Sequence, residues 1–255
     1  MSTQLIYGVH AVRIMLMQHP ERVLRVRIAE HRDDARARSI EELALRQQRP
    51  VERIDAAALR ALLGEVSHQG IAAEIMPLPS WSEDDLLADI TKAPGGIVLA
   101  LDGVQDPHNL GACLRTADAC GVRAVLVPRD RAAQLTAAAR KVAAGAAESV
   151  PVVPVTNLVR SLKLLKEAGL WVFGADVTAT LEAYQADLSG GITLVLGAEG
   201  TGLRQLTRQT CDHLVRLPQL GTVESLNVSV AAGMLLYEAV RQRATRVSAP
   251  VNASS

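Results

Sequence analysis

Residues 192–203 read Ile192-Thr-Leu-Val-Leu196-Gly197-Ala-Glu199-Gly200-Thr-Gly202-Leu203. The first five are almost all apolar and lack the alternation of a strand with one wet face. Such a run suits a strand buried on both faces, the habit of parallel sheets covered by helices. Three glycines then surround a single carboxylate before the next helical pattern begins. The same order of events occurs at Ile97-Val-Leu-Ala-Leu101, again followed by a polar stretch and a helix. From there onward strands and helices alternate. Strands are expected at 97–101, 124–127, 150–155, 171–174, 192–196 and 214–217, and helices at 109–120, 133–144, 157–168, 203–211 and 225–243. The fold class is therefore α/β, with a parallel sheet in the segment 97–245.

Upstream, residues 1–76 form a second, smaller α/β unit. Leu24, Val26 and Ile28 alternate with Arg25 and Arg27, which is strand periodicity. Asp55 can cap a helix over Ala56–Leu63 that stops at Gly64. Residues 77–96 are a linker punctuated by Pro and Gly at both ends, with a capping-box pattern at Ser82 and Asp85. Residues 246–255 carry no periodicity and are expected to be a mobile tail.

At 255 residues the chain has room for one or two domains. Hydrophobic residues make up 49% and aromatics 2%, so the core must be built from Leu, Val, Ile and Ala. So few aromatics also argue against a base-stacking platform. With 27 basic and 27 acidic residues the net charge is zero, and there is no whole-chain basic footprint of the kind that marks nucleic-acid binders. That balance hides a split. The front unit sets eleven Arg against ten acids, the linker carries four acids and one Lys, and cations gather at Arg129, Arg131, Arg140 and Lys141. Three scattered Cys give neither a disulfide framework nor a zinc spacing, so no metal is expected. Cys113 and Cys120, seven apart on a helix, read as core thiols. No apolar stretch is long enough to span a bilayer and no signal peptide opens the sequence, so a cytoplasmic setting is expected.

Three polar clusters follow strand ends, where ligands gather in open α/β sheets. After strand 97–101 come Pro107, Asn109, Gly111 and Arg115. The plain alternative is a capped helix with a surface Arg, and Gly111 marks a close backbone approach. After strand 192–196 comes the Gly197–Gly202 loop with Glu199. It lacks the GxGxxG order of a dinucleotide site, which argues against an NAD-type enzyme. After strand 214–217 come Leu217-Pro218 and then Ser225-Leu226-Asn227-Val-Ser229, leading into an apolar helix. Ser225 there is either a helix cap or a site residue.

Together, Asn109-x-Gly111-x-x-x-Arg115, Leu196-Gly-x-Glu199-Gly-x-Gly202 and Leu217-Pro…Ser225-Leu-Asn227-Val-Ser229 resemble the three ordered motifs of the SpoU family. These are RNA ribose 2′-O-methyltransferases of the SPOUT, or trefoil-knot, class. Ile6-Tyr7-Gly8-Val9-His10-Ala11 and His68-Gln69-Gly70-Ile71 resemble the ends of the L30e-like substrate-binding domain attached to many of them. The resemblance covers all but the C-terminal tail.

It implies a knotted C-terminal domain that pattern reading alone would exclude, because knots are rare. It implies S-adenosyl-L-methionine as cofactor, with Gly197, Leu217 and Leu226 as contacts. It implies Arg115, Asn109, Glu199, Ser225 and Asn227 as catalytic residues. In the family the arginine matching Arg115 is the base or activator. Because Arg is protonated under ordinary conditions, Arg115 is expected chiefly to stabilise a developing alkoxide, with Glu199 orienting it or accepting a proton and Asn109 fixing that geometry. Arg129, Arg131, Arg140 and Lys141 are expected to contact RNA phosphate beside the site, and the Arg-rich front unit to give a second foothold. The implied substrate is 23S rRNA, at a guanosine of the peptidyl-transferase P-loop, free or in an assembly intermediate. The rivals are a tRNA ribose methyltransferase and a non-catalytic RNA-binding dimer. A homodimer is implied as well, and the wide apolar surface of helix 225–243 agrees with it. The tandem domains favour rRNA.

Overall fold

The computed structural model describes residues 3–64, 66, 68–77 and 80–248. The chain divides into two compact units. The first is Met1–Pro79 with Ala144–Ser149, and the second is Ser80–Ala143 with Val150–Ser255.

The first unit runs β1 (Gln4–Tyr7), α1 (Val9–Gln18), β2 (Val23–Ala29), α2 (Ala35–Arg46), β3 (Val51–Ile54), α3 (Ala56–Leu63) and β4 (Ile71–Ile75). Its sheet has the order β1-β4-β2-β3. The strand β4 is antiparallel to both neighbours, while β2 and β3 are parallel. The alternation in β2 holds from Arg25 onward, but Leu24, expected on the apolar face, is exposed, because the pairing with β4 shifts register between Val23 and Arg25. Val26 and Ile28 are buried, and Arg25 and Arg27 face outward to Glu52 and Glu74 at 3.2–3.7 Å. Strand β1 has no counterpart in the sequence reading. Four residues are too short to show a period, and pairing with β4 is what holds them extended. Asp55 caps α3 through the Ala57 amide, and Gly64 ends it with φ +72°.

The second unit runs α4 (Glu83–Lys92), β5 (Ile97–Asp102), α5 (Pro107–Ala119), β6 (Ala124–Pro128), α6 (Ala137–Ala143), β7 (Val152–Val155), α7 (Leu158–Glu167), β8 (Trp171–Ala175), β9 (Leu181–Glu182), β10 (Ile192–Gly197), α8 (Gln205–Thr210), β11 (His213–Arg216) and α9 (Val228–Ser248). The linker helix α4 starts with the Ser82–Asp85 capping box. Seven strands form one sheet in the order β7-β6-β5-β10-β8-β11-β9, and every pairing in it is parallel. The two runs that decided the fold class, β5 and β10, lie side by side at its centre with Gly197 opposite Asp102. All six residues of β5 are buried. Aliphatic side chains from β5, β6, β7, β8 and β10, with α4 and α7, make one core. It contains no Phe or Tyr, as the composition requires.

Three element boundaries differ from the sequence reading by three residues or more, and the others by two or fewer. The expected helix 133–144 begins only at Ala137, because residues 129–136 form a loop pinned by the Ala133 amide to the Val104 carbonyl. The expected helix 225–243 begins at Val228 and continues to Ser248. Ser225 is therefore outside it, and Asn227 takes the cap position. The Asn227 side chain accepts from the Ser229 amide, and its carbonyl accepts from the Ala231 amide. Of the expected tail, 246–248 are helical, and 249–255 lie outside the described residues.

Gly111 is the tightest point between helices α5 and α6. A Cβ there would overlap the Ala139 carbonyl oxygen and stand 2.8 Å from Val142 Cβ. The close approach marked in the sequence is thus between helices, with no ligand involved. Backbone cannot swing away as a flexible side chain can. Overpacking of about 1–3 kcal/mol should therefore outweigh the roughly 1 kcal/mol that Ala gains over Gly within a helix. Gly111→Ala is expected to lower the thermal midpoint of this unit in calorimetry. An unchanged or raised midpoint would show that α5 and α6 can separate at no cost.

Candidate functional site

Two clefts open at the carboxyl ends of β5, β8, β10 and β11. The larger, about 520 Å³, is lined by the Leu196–Leu203 segment, by Ala175–Thr178, and by Val215–Leu217 with Glu224–Leu226. The smaller, about 420 Å³, shares Ala198, Glu199, Thr201, Gly202 and Val228 with it and is completed by Asp102–Asp106, Asn109 and Arg204. The loop after β10 is the wall between them.

That loop needs each of its glycines for a separate reason. At Gly197 a Cβ would overlap the backbone of Gly202, because the loop folds back on itself through an Ala198–Gly202 bridge. Gly200 and Gly202 have φ of +77° and +64°, the left-handed region that favours glycine. The result is a short, narrow turn with backbone exposed to both clefts.

Glu199 projects from the turn and collects the other two motifs. Its Oε1 accepts from Asn109 Nδ2 at 3.2 Å, Asn227 Nδ2 at 2.5 Å and the Val228 amide at 3.4 Å. Asn227 Nδ2 also donates to Asn109 Oδ1 at 3.0 Å. Each asparagine is placed by a helix start. Asn109 lies in the first turn of α5, whose cap is Asp106, and Asn227 caps α9. Three sequence motifs thus become one hydrogen-bonded triangle.

The remaining expected site residues divide. Gly197, Leu217, Leu226 and Ser225 all line the larger cleft. Arg115 lines neither cleft and is exposed, and it makes no hydrogen bond or ion pair among the described residues. The expected orientation of Arg115 by Glu199 is therefore absent within this chain. Helix geometry explains it: six residues are about 600° of rotation, so Arg115 leaves α5 some 120° away from Asn109. Arg129, Arg131 and Lys141 are exposed, and Arg140 is half-buried. The loop carrying Arg129 and Arg131 is the one tied to Val104, so it borders the smaller cleft.

The front unit uses much of its Arg content internally. Arg25, Arg27, Arg32, Arg38, Arg46 and Arg53 each pair with an acid of the same unit. The expected foothold on phosphate therefore has fewer unpaired Arg residues to draw on than composition suggests.

The sequence reading passed over Asp176, Thr178 and Arg208 in the larger cleft and Asp102 and Arg204 in the smaller. Arg208 Nε lies 2.5 Å from Asp176 Oδ2, and Thr178 donates to the other oxygen at 2.6 Å. Burial pushes the Asp176 carboxyl up, but the hydrogen bonds from Thr178 and Arg208 outweigh it and hold it below the usual carboxylate range. Asp102 ends β5 and Asp176 directly follows β8, and that position at a strand end was the available signal. The thiols are poor nucleophiles. Burial pushes both Cys113 and Cys211 up to about 12. Cys113 is buried and Cys120 half-buried. Among the described residues no His, Cys, Asp and Glu cluster could hold a metal ion, and no helix is long and apolar enough to cross a membrane.

Comparison with known proteins adds the following. The SpoU rRNA Methylase family matches residues 96–237, and the family of RNA 2'-O ribose methyltransferase substrate-binding domains matches residues 5–81. The 23S rRNA (guanosine-2'-O-)-methyltransferase RlmB of Pseudomonas aeruginosa is 52% identical over 239 residues, covering 93% of this chain and 96% of that protein. RlmB of Escherichia coli is 49% identical over 245 residues, covering 94% and 99%. The crystal structure of the SpoU methyltransferase AviRb from Streptomyces viridochromogenes, in complex with AdoMet, superposes with a TM-score of 0.72 at 25% identity, covering 95% of this chain and 91% of that one.

Proposed function

Because the chain belongs to the SpoU rRNA methylase family, we propose that it transfers a methyl group from S-adenosyl-L-methionine to the ribose 2′-hydroxyl of a guanosine in 23S rRNA. One observation in the structure supports this above others. Residues from three motifs, up to 118 positions apart, converge on one carboxylate oxygen between two clefts. One cleft suits a cofactor and the other a polar substrate.

The larger cleft fits S-adenosyl-L-methionine. Its volume lies in the range of small-molecule sites. Leu196, Leu217 and Leu226 offer an apolar slot, and the glycine turn exposes backbone groups that can read an adenine edge. Asp176 and Arg208, paired with each other, give this cleft a polar side opposite the apolar slot's leucines. When bound, this cofactor supplies a methyl carbon on a sulfonium; the C–S bond breaks as the C–O bond forms, and the hydroxyl proton passes to solvent. Asn109, Glu199 and Asn227 then fix the wall against which the ribose is placed. Ser225 adds a hydroxyl at the cofactor side. Arg129 and Arg131, on the loop tied to Val104, supply positive charge beside the substrate cleft, and Arg140 and Lys141 follow on α6.

Arg115 enters through a second copy of the chain. Helices α5 and α9 cross where Thr116 Cγ2 lies 3.6 Å from the Cβ direction of Gly233. Val230, Met234 and Tyr237, at helical spacing on α9, are 46%, 50% and 69% exposed. Arg115, exposed on α5, and the apolar stripe, exposed on α9, are thus carried by two helices that touch at Thr116 and Gly233. A homodimer over that stripe buries the apolar surface and carries Arg115 toward the partner's cleft. There it stabilises negative charge developing on the ribose oxygen.

Two experiments test this reading. Labelled S-adenosyl-L-methionine, offered with unmodified 23S rRNA and with tRNA, should mark a 23S guanosine ribose on mapping. Labelling of tRNA alone would contradict the substrate, and labelling of neither would contradict the activity. Mixing Arg115→Ala chains with Glu199→Ala chains should restore activity, because one of the two sites in a mixed dimer keeps both residues. No restoration, with mixed dimers shown to form, would place Arg115 and Glu199 in the same chain's site.

A further inference from the structure

The smaller cleft contains a charge arrangement that the reaction as described does not use. Three carboxylates line it: Asp102, Asp106 and Glu199. Two have duties within the protein, since Asp106 caps α5 through the His108 amide and Glu199 holds the asparagines. An RNA chain entering this cleft would meet negative charge at close range. Among the described lining residues the one cation is Arg204.

Arg204 is held by its base and free at its tip. Asp102 ends β5 with its side chain wholly buried. Its Oδ2 accepts from the Arg204 amide at 2.9 Å, and its Oδ1 stands 3.5 Å from Arg204 Nε, an ion pair without a hydrogen bond. The guanidinium lies across Gly103. A Cβ there would be 3.1 Å from Arg204 Nη2, and Gly103 has φ +81°. The Arg204 side chain remains 50% exposed. A buried carboxylate is costly unless a cation answers it, so Asp102 fixes where Arg204 starts. The terminal nitrogens stay available, in the planar fork that matches a phosphate.

We propose that Arg204, steered by the buried Asp102, binds a backbone phosphate flanking the ribose that is methylated. This rests on the RNA-methylating reading above. Every ribose within an RNA chain has a phosphate on each side, so a nucleotide whose 2′-oxygen reaches the Asn109–Glu199–Asn227 wall must bring one into this cleft. Arg204 sets the one lining cation where the phosphate arrives, against the charge of the lining carboxylates. Asp102 is a positioning residue; it acts through Arg204.

The test measures binding of an unmodified 23S rRNA fragment against salt concentration, by fluorescence anisotropy, for the wild-type protein, Arg204→Gln and Arg204→Lys. Arg204→Gln should weaken binding about tenfold. It should also reduce the slope of log affinity against log salt by about 0.7–0.9, the value of one phosphate contact. Arg204→Lys should keep the slope, because it keeps the charge, while losing turnover through the missing fork. S-adenosyl-L-methionine affinity by calorimetry should be unchanged in both, since Arg204 does not line the larger cleft. Asp102→Asn, if it folds, should move RNA affinity in the same direction as Arg204→Gln. Wild-type affinity and slope in Arg204→Gln would overturn the proposal, as would a slope lost equally in Arg204→Lys. Failure of the wild-type protein to methylate RNA would overturn the RNA-methylating reading instead, and the slopes would still decide the phosphate contact.

Discussion

A single carboxylate oxygen, Glu199 Oε1, is where three distant parts of the second unit meet. It receives Asn109 from the start of α5, and Asn227 and the Val228 amide from the start of α9. Hydrogen bonds to a charged acceptor are roughly twice as strong as neutral ones. Each asparagine is also committed elsewhere, Asn227 to Asn109 and to Ser229. The triangle is therefore a network, and removing one member leaves the others underused. Both clefts depend on it, because Glu199 stands on the loop that separates them.

The network is possible only because backbone approaches backbone closely at two places. Gly111 lets α5 lie against α6. Gly197 lets the loop after β10 close on Gly202, which aims Glu199 outward between the clefts. Both glycines, through the close approach they allow, set where polar groups arrive. The parallel sheet beneath supplies the fixed frame, with Asp102 and Gly197 at matching positions on adjacent central strands.

Much of this was legible in the sequence, for reasons that can be stated. Runs such as IVLAL and TLVL are strands buried on both faces, and they form the centre of the sheet. Asp55, Gly64, Ser82 and Asp85 carry local capping chemistry and act as expected. What failed was information that local pattern lacks. Strand β1 is held by pairing, and the start of α9 is fixed by Asn227 reaching residues more than twenty positions upstream. Motif membership grouped Asn109, Glu199 and Asn227, which the structure joins by hydrogen bonds, but could not show that Arg115 leaves its helix on another side. Composition marked the front unit as Arg-rich without showing how many of those residues face acids of the same unit. The knotted chain course is implied by the resemblance alone, since no periodicity encodes threading.

The central claim is that Glu199, Asn109 and Asn227 act as one unit. Single-turnover methyl transfer to the 23S rRNA fragment should be measured for Asn109→Ala, Asn227→Ala, Glu199→Ala and the triple variant, each checked for folding. Residues that work together lose their effect together. The account predicts that the triple variant is no slower than Glu199→Ala within about threefold, a margin set by the non-additivity expected of such networks. A triple variant whose loss equals the product of the three single losses would contradict it.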